Sequence, residues 1–175
     1  MNSIDTLVYY KTPAGIAQLR QRLSAKLDEY GAICAERATA HAVAGDGWHD
    51  NPSFNRLQQL EAEKTREIAA LQQILDRSRL VNVDQRHRPT DRVRIGSLVS
   101  IQIEEASGDE RQVTWEIAGY DETDVPGGRL GYNTPLAAAL MGELPGAEVT
   151  ATLPRGPVWI SIIKLHDVHP TEVKR

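Results

Sequence analysis

Two aspartates, Asp46 and Asp50, stand close together in the stretch Gly45-Asp46-Gly47-Trp48-His49-Asp50-Asn51-Pro52. Paired carboxylates are hard oxygen donors suited to Mg²⁺, which is commonly held through one or two protein carboxylates and keeps several waters. His49, between the acids, could join a metal site or carry a proton near neutral pH, although a lone loop histidine more often does neither. Trp48 could stack on an unpaired base, a contact worth about 1–3 kcal/mol in single-strand binders, or fold back over the end of the elements that carry it. Two carboxylates and one imidazole on a loop make a weak site on their own. The expectation is therefore no intrinsic cofactor.

Something must hold this stretch out, and the flanking segments are built for it. Thr12-Pro13 makes a helix start, because threonine can accept from orphan N–H groups and proline tolerates the first helical position. Ile16, Leu19, Leu23, Tyr30 and Ile33, with Leu27 beside them, then recur at helical spacing up to Gly45. About thirty residues at 1.5 Å each predict a helix of roughly 45 Å. Asn51-Pro52 repeats the start signal, and Phe54, Leu57, Leu60, Ile68, Leu71 and Ile74 or Leu75 carry a second stripe to about Arg79. Joined by a short break, two such helices bury their stripes only by running antiparallel. The reading is an N-terminal coiled-coil hairpin over residues 1–83 with an acidic tip at 45–52. Lys26 and Arg37 fall on the seam and weaken its apolar character.

A polar, proline-broken stretch follows at 84–95, where Arg86, His87, Arg88, Arg92 and Arg94 make the most basic run of the chain. It reads as a solvated linker, with a phosphate contact as the lesser possibility. From Val93 the period changes to two. Val99, Ile101 and Ile103 alternate with polar residues, Ser107-Gly108-Asp109 is a hairpin turn, and Val113, Trp115 and Ile117 alternate again. Later strands are expected at Val149–Leu153 and Val158–Leu165, and Thr134 to Gly142 has the cap, first-turn proline, apolar body and closing glycine of one short helix. Residues 96–175 thus predict a small antiparallel sheet packed on one helix, and the whole chain is α+β.

Composition narrows the partners. With 175 residues, 41% of them hydrophobic, and a net charge of -4, the chain lacks the strongly basic balance of a dedicated nucleic-acid binder. Residues 96–168 carry eleven acids against four bases, which favours a protein partner for the second domain. The single cysteine, Cys34, cannot form an internal disulfide and reads as a packed helix position. No apolar run reaches the roughly 18 residues of a membrane span, and the first residues lack a signal-peptide pattern. A cytoplasmic monomer without membrane contact is expected.

Three features taken together, Gly45-Asp46 with Asp50-Asn51 at the tip, Asn133-Thr134-Pro135-Leu136-Ala137 with Leu140-Met141-Gly142, and the order of the domains, resemble the bacterial transcript cleavage factors GreA and GreB. The resemblance implies an FKBP-like second domain that docks on core RNA polymerase at the mouth of its secondary channel. It implies a hairpin tip that reaches the active centre, where Asp46 and Asp50 help hold a Mg²⁺ ion supplied there and orient water for cleavage of backtracked RNA. Contact with the nascent RNA would be indirect. Gly45, Trp48, His49 and Asn51 become tip-supporting residues, and Asn133, Thr134 and Pro135 become the polymerase-contacting turn. The chain would be an accessory factor, not an enzyme. It departs from the family's pattern in having one extra residue between the acids, and catalytic placement is sensitive to about an ångström. An inhibitor that occupies the channel without cleavage therefore stays open beside the cleavage reading. So does a coiled-coil adaptor unrelated to polymerase. An independent prolyl isomerase has only fold analogy behind it.

Overall fold

The computed structural model describes residues 7–44 and 51–168. Contacts divide the chain into two compact units, the first holding Ile16–Ser78 and the second holding Tyr9–Gly15 together with the chain from Arg79 onward.

In the first unit α1 (Pro13–Ala44), whose opening turn belongs to the second unit, runs with α2 (Pro52–Asp76). Asn51 starts α2 as expected: its backbone is extended and its Oδ1 accepts from the Ser53 N–H at 3.0 Å. Shielded positions recur on α1 at Leu19, Leu23, Lys26, Tyr30, Ile33 and Arg37, and on α2 at Phe54, Leu57, Glu61, Lys64, Ile68, Leu71 and Leu75. This alternation of threes and fours is the heptad of a coiled-coil seam. Leu27, expected beside the stripe, is exposed.

The polar seam positions answer one another across the hairpin. Lys26 Nζ lies 3.0 Å from Glu67 and 3.2 Å from Glu29, while Lys64 Nζ lies 2.9 Å from Glu29 and 3.1 Å from Glu67. Charges thus alternate around a four-membered ring that joins the two helices. Lys64, with Lys26 beside it, depresses the Glu29 carboxyl below its ordinary value; Lys26, with Lys64, does the same to Glu67; and the Glu29 carboxylate raises the Lys64 ammonium. Nearer the tip, Arg37 pairs with Glu61 at 2.9 Å, and the Tyr30 hydroxyl donates to Glu61 Oε1 at 3.3 Å. The weakening expected at Lys26 and Arg37 is converted into pairing between helices. Cys34 is half-buried.

The second unit holds a two-stranded ribbon, β1 (Tyr9–Lys11) with β2 (Ser78–Leu80), whose Ser78 is the last residue of the first unit. Its main body is a five-stranded sheet of β3 (Leu98–Glu105), β4 (Glu110–Ala118), β5 (Arg129–Gly131), β6 (Glu148–Leu153) and β7 (Gly156–His166), in the order β5-β4-β3-β7-β6. Helix α3 (Pro135–Leu140) follows β5 in the chain. The β3–β4 hairpin closes as expected at Gly108, whose φ of 86° suits the turn. Val99, Ile101, Ile103, Ile117, Ile160 and Ile162 face inward with Ala137 and Leu140 of α3 to form the core.

Two expectations change. The sheet is not wholly antiparallel, because β5 runs parallel to β4. With three residues in a glycine-rich stretch, β5 carries no alternation to read. The stretch 84–95 groups with the second unit, and although most of its side chains are exposed, Arg88 and Val93 are anchored there. Val93 is buried and exchanges backbone bonds with Glu143 and Gly142. Arg88, 6% exposed, donates from Nη1 to Gly96 O at 2.9 Å and from Nη2 to Glu116 Oε2 at 3.0 Å. A buried guanidinium must be paired, and here it ties the stretch to the sheet, which leaves Arg88 unable to meet a phosphate.

Candidate functional site

The turn at Asn133-Thr134-Pro135 is built from the chain's own capping chemistry. Thr134 has extended backbone, its Oγ1 accepts from the Ala137 N–H at 3.3 Å, and its hydroxyl donates to Gly131 O at 2.8 Å. Pro135 fills the first helical position, where no N–H is needed. Thr134 is thereby half-buried, while Asn133 and Pro135 stay exposed on either side of it.

Asn133 does further work. Its Oδ1 accepts from the Asp121 N–H at 3.0 Å, and Asp121 has a φ of 56°, a left-handed conformation that aspartate tolerates better than most residues. Thr123 Oγ1 accepts from the Gly131 N–H at 3.0 Å. These two bonds lock the acidic loop 121–124 beside the turn. Asp124 accepts from Arg129 at 3.0 Å, and the Arg129 guanidinium is the first cause of its depressed carboxyl. Exposed Asp121, Asn133 and Pro135 thus share one rim.

Glu122 has a different task from its neighbours. It is 8% exposed, and its Oε1 and Oε2 accept from the Thr12 N–H at 2.9 Å and the Thr12 hydroxyl at 2.7 Å. Thr12 Oγ1 in turn accepts from the Gly15 N–H at 3.1 Å, which completes the expected cap of α1. The carboxylate fits only because Gly15 and Gly119 lack side chains: a Cβ would lie 1.7 Å and 2.4 Å from Oε1. Gly15 reads in the sequence as a helix breaker. Its structural role is close approach, which no local pattern announces.

A tyrosine group that the sequence analysis did not single out adjoins the rim. Tyr120 and Tyr132 lie 6.3 Å apart at edge-to-face angles, Tyr10 lies 6.4 Å from Tyr132, and Tyr9 lies 4.5 Å from Tyr120. The Tyr10 N–H donates to the Tyr132 hydroxyl at 3.3 Å, and Lys11 Nζ donates to Tyr120 O at 2.6 Å. Burial raises the Tyr120 phenol above its ordinary value. Five tyrosines in the whole chain, four of them here, were the available signal.

The tip residues Gly45, Asp46, Trp48, His49 and Asp50 lie outside the described residues. At the described edge of the hairpin, Asn51 caps α2, and buried Phe54 sits 5.9 Å from the His41 ring. Among the described residues there is no group of histidine, cysteine or carboxylate side chains able to hold a metal, and no helix long and apolar enough to cross a membrane.

A hairpin of two long helices joined to an α+β unit, with a capped turn beside an acidic loop, defines the architecture with which known proteins can be compared. The family profile "Transcription elongation factor, GreA/GreB, C-term" matches residues 88–167. Transcription elongation factor GreA of Chloroflexus aggregans is 30% identical over 156 residues, covering 89% of this chain and 96% of that protein. GreA of Roseiflexus castenholzii is 28% identical over the same shares. Among solved structures, GreA factor homolog 1 of Thermus thermophilus is 19% identical, covering 91% of this chain and 99% of that one, with a TM-score of 0.41. The chain belongs to the GreA/GreB family of transcription elongation factors.

Proposed function

We propose that this chain binds core RNA polymerase as a cytoplasmic monomer and presents its hairpin tip through the secondary channel to the active centre, where it promotes cleavage of backtracked RNA. The observation that carries this reading is the similarity to GreA over 96% of the relative's length, hairpin and second unit alike. Docking falls to the rim of Asn133, Thr134 and Pro135, which is rigid before binding because capping bonds already hold it. A preorganised surface loses less freedom on association. The adjoining acidic loop supplies charge complementary to a basic partner.

At the tip, Asp46 and Asp50 suit Mg²⁺ by the chemistry of their donors, two hard carboxylate oxygens. The ion itself, supplied in the polymerase, would polarise phosphoryl oxygen and activate water. The part played by this chain is to bring the two carboxylates, with Gly45, Trp48, His49 and Asn51 supporting them, to an active centre it does not possess. Alone it is inert towards RNA.

The test incubates backtracked elongation complexes with the wild-type chain and with Asp46→Asn and Asp50→Asn. Shortened RNA with the wild type, reduced at least tenfold by either substitution, is expected; no affinity for core polymerase at micromolar concentration would sink the reading. The three residues between the acids, Gly47-Trp48-His49, favour a second reading in which the tip occupies the channel without cleavage. Slowed nucleotide addition with no RNA shortening would select it.

A further inference from the structure

The outer face of the five-stranded sheet carries a side chain that the core does not explain. Along β7, Val158, Ile160 and Ile162 point into the core, while Trp159 points away and remains 48% exposed. Trp159 stands opposite Glu104 on β3 and opposite Thr150 on β6. One row further on, Gln102, Ser161 and Glu148 stand opposite one another. Glu104 and Glu148 therefore flank the indole from its two neighbouring strands. Strands lie about 4.8 Å apart and diagonal positions about 7–8 Å apart, so one planar cation could meet the indole and both carboxylates together.

The face is shaped and charged for such a group. Glu104, Glu148, Thr150, Trp159 and Ser161 line a groove of about 620 Å³. Strand β6 is at the edge of the sheet, which leaves the groove open on that side. Glu110, opposite Glu104, adds a third carboxylate, which accepts from Gln102 at 2.7 Å. Among the described residues, Glu104 and Glu148 have no ion-pair partner, and the nearby Arg111 is directed to Glu105 at 3.7 Å. Two carboxylates beside the indole, with Glu110 beyond Glu104, repel a phosphate backbone. Tryptophan offers the strongest cation–π face among side chains, and a guanidinium can stack on it while its N–H fork meets carboxylates.

We propose that this face is a docking surface for a basic segment of a partner protein, which seats an arginine side chain on the Trp159 indole between Glu104 and Glu148. It is separate from the turn at Asn133-Thr134-Pro135 and does not depend on the polymerase reading. Occupation covers the exposed indole and gives both unpartnered carboxylates a counter-charge.

The experiment titrates the full chain with a capped Gly-Arg-Gly-Arg-Gly peptide and follows the indole N–H resonances, that of Trp159 being assigned by its loss in Trp159→Phe. A saturable shift confined to the Trp159 resonance is expected. Glu104→Gln combined with Glu148→Gln should weaken binding about tenfold, the scale of one lost charge-assisted contact. These solvent-facing substitutions leave the core untouched, and an unchanged far-UV spectrum checks it. The absence of a saturable shift at millimolar peptide, an unaltered affinity in the double variant, or an equal response to the Gly-Glu-Gly-Glu-Gly peptide or to a single-stranded RNA oligonucleotide would each overturn the proposal.

Discussion

The two units of this chain solve the problem of a unique structure by opposite means. The second unit buries a continuous apolar cluster from five strands and α3, with Val99, Ile101, Ile117, Ala137 and Leu140 fully shielded. In the first, among the described residues, only Leu19, Phe54 and Ile68 are buried hydrophobics, and charged seam positions meet across the helices instead. Apolar area is non-directional and scales with what is removed from water, whereas an ion pair has definite partners. A narrow two-helix seam has little area to offer. Its register is accordingly marked by the Lys26, Glu29, Lys64 and Glu67 ring and by the Arg37–Glu61 pair. The contrast teaches that stability resides mainly in the second unit, while the hairpin depends on charge to select one alignment of its helices.

Substitutions can break that contrast, and the largest effect belongs to the core. Ile101→Ala, at a position with no solvent exposure, should cost about 2–5 kcal/mol in urea denaturation of the full chain. A loss under 1 kcal/mol would mean that the sheet is not the stability centre. Next comes the buried carboxylate: Glu122→Ala removes two charge-assisted bonds to Thr12 and should cost about 1.5–3 kcal/mol. Gly15→Ala should reproduce most of that loss by displacing the same carboxylate. The double variant should then fall well short of the sum; full additivity would show that the two residues act independently.

Smaller again is the cap at the candidate docking turn. Thr134→Ala should destabilise by about 1 kcal/mol, with Thr134→Ser recovering most of it. If Thr134→Ala were neutral in stability, the turn could not be considered held by its cap. The smallest effect is expected in the hairpin, whose charges are partly exposed and screened by salt. Glu29 and Glu67 have folded pKa values depressed by the lysines. Their contribution is therefore complete above the unfolded glutamate value of about 4.3 and fades as pH falls through the lower folded values. Amide protection factors in α1 and α2 should fall over that window. In Glu29→Gln with Glu67→Gln this acid dependence should flatten, and an unchanged slope would remove the ring from the account.

Much of this was legible in residue order because it is local. Thr12-Pro13, Asn51-Pro52 and Thr134-Pro135 each announce a helix start, and each was found capped. The period of two identified β3, β4, β6 and β7. Strand β5 escaped because three residues are too few to show a pattern, and its parallel pairing to β4 has no signature at that length. The stretch 84–95 differs for another reason: its polarity matches a linker, but Arg88 pairs through its two terminal nitrogens with Gly96 and Glu116, the latter 28 residues away. Of the candidate site, the capped turn was readable. The burial of Glu122 and the gathering of Tyr10, Tyr120 and Tyr132 were not, since both join residues more than 100 positions apart.

Sequence alone determined that two long helices flank an acidic stretch, that a small α+β unit follows, and that the chain resembles the GreA/GreB family. Those features rest on periodicity, capping and residue chemistry, which act between near neighbours. Tertiary structure alone decided that Lys26 and Lys64 share Glu29 and Glu67, that Gly15 makes room for Glu122, and that Trp159 stands unshielded between Glu104 and Glu148. Each depends on which distant segments lie together, and no local preference along the chain encodes that.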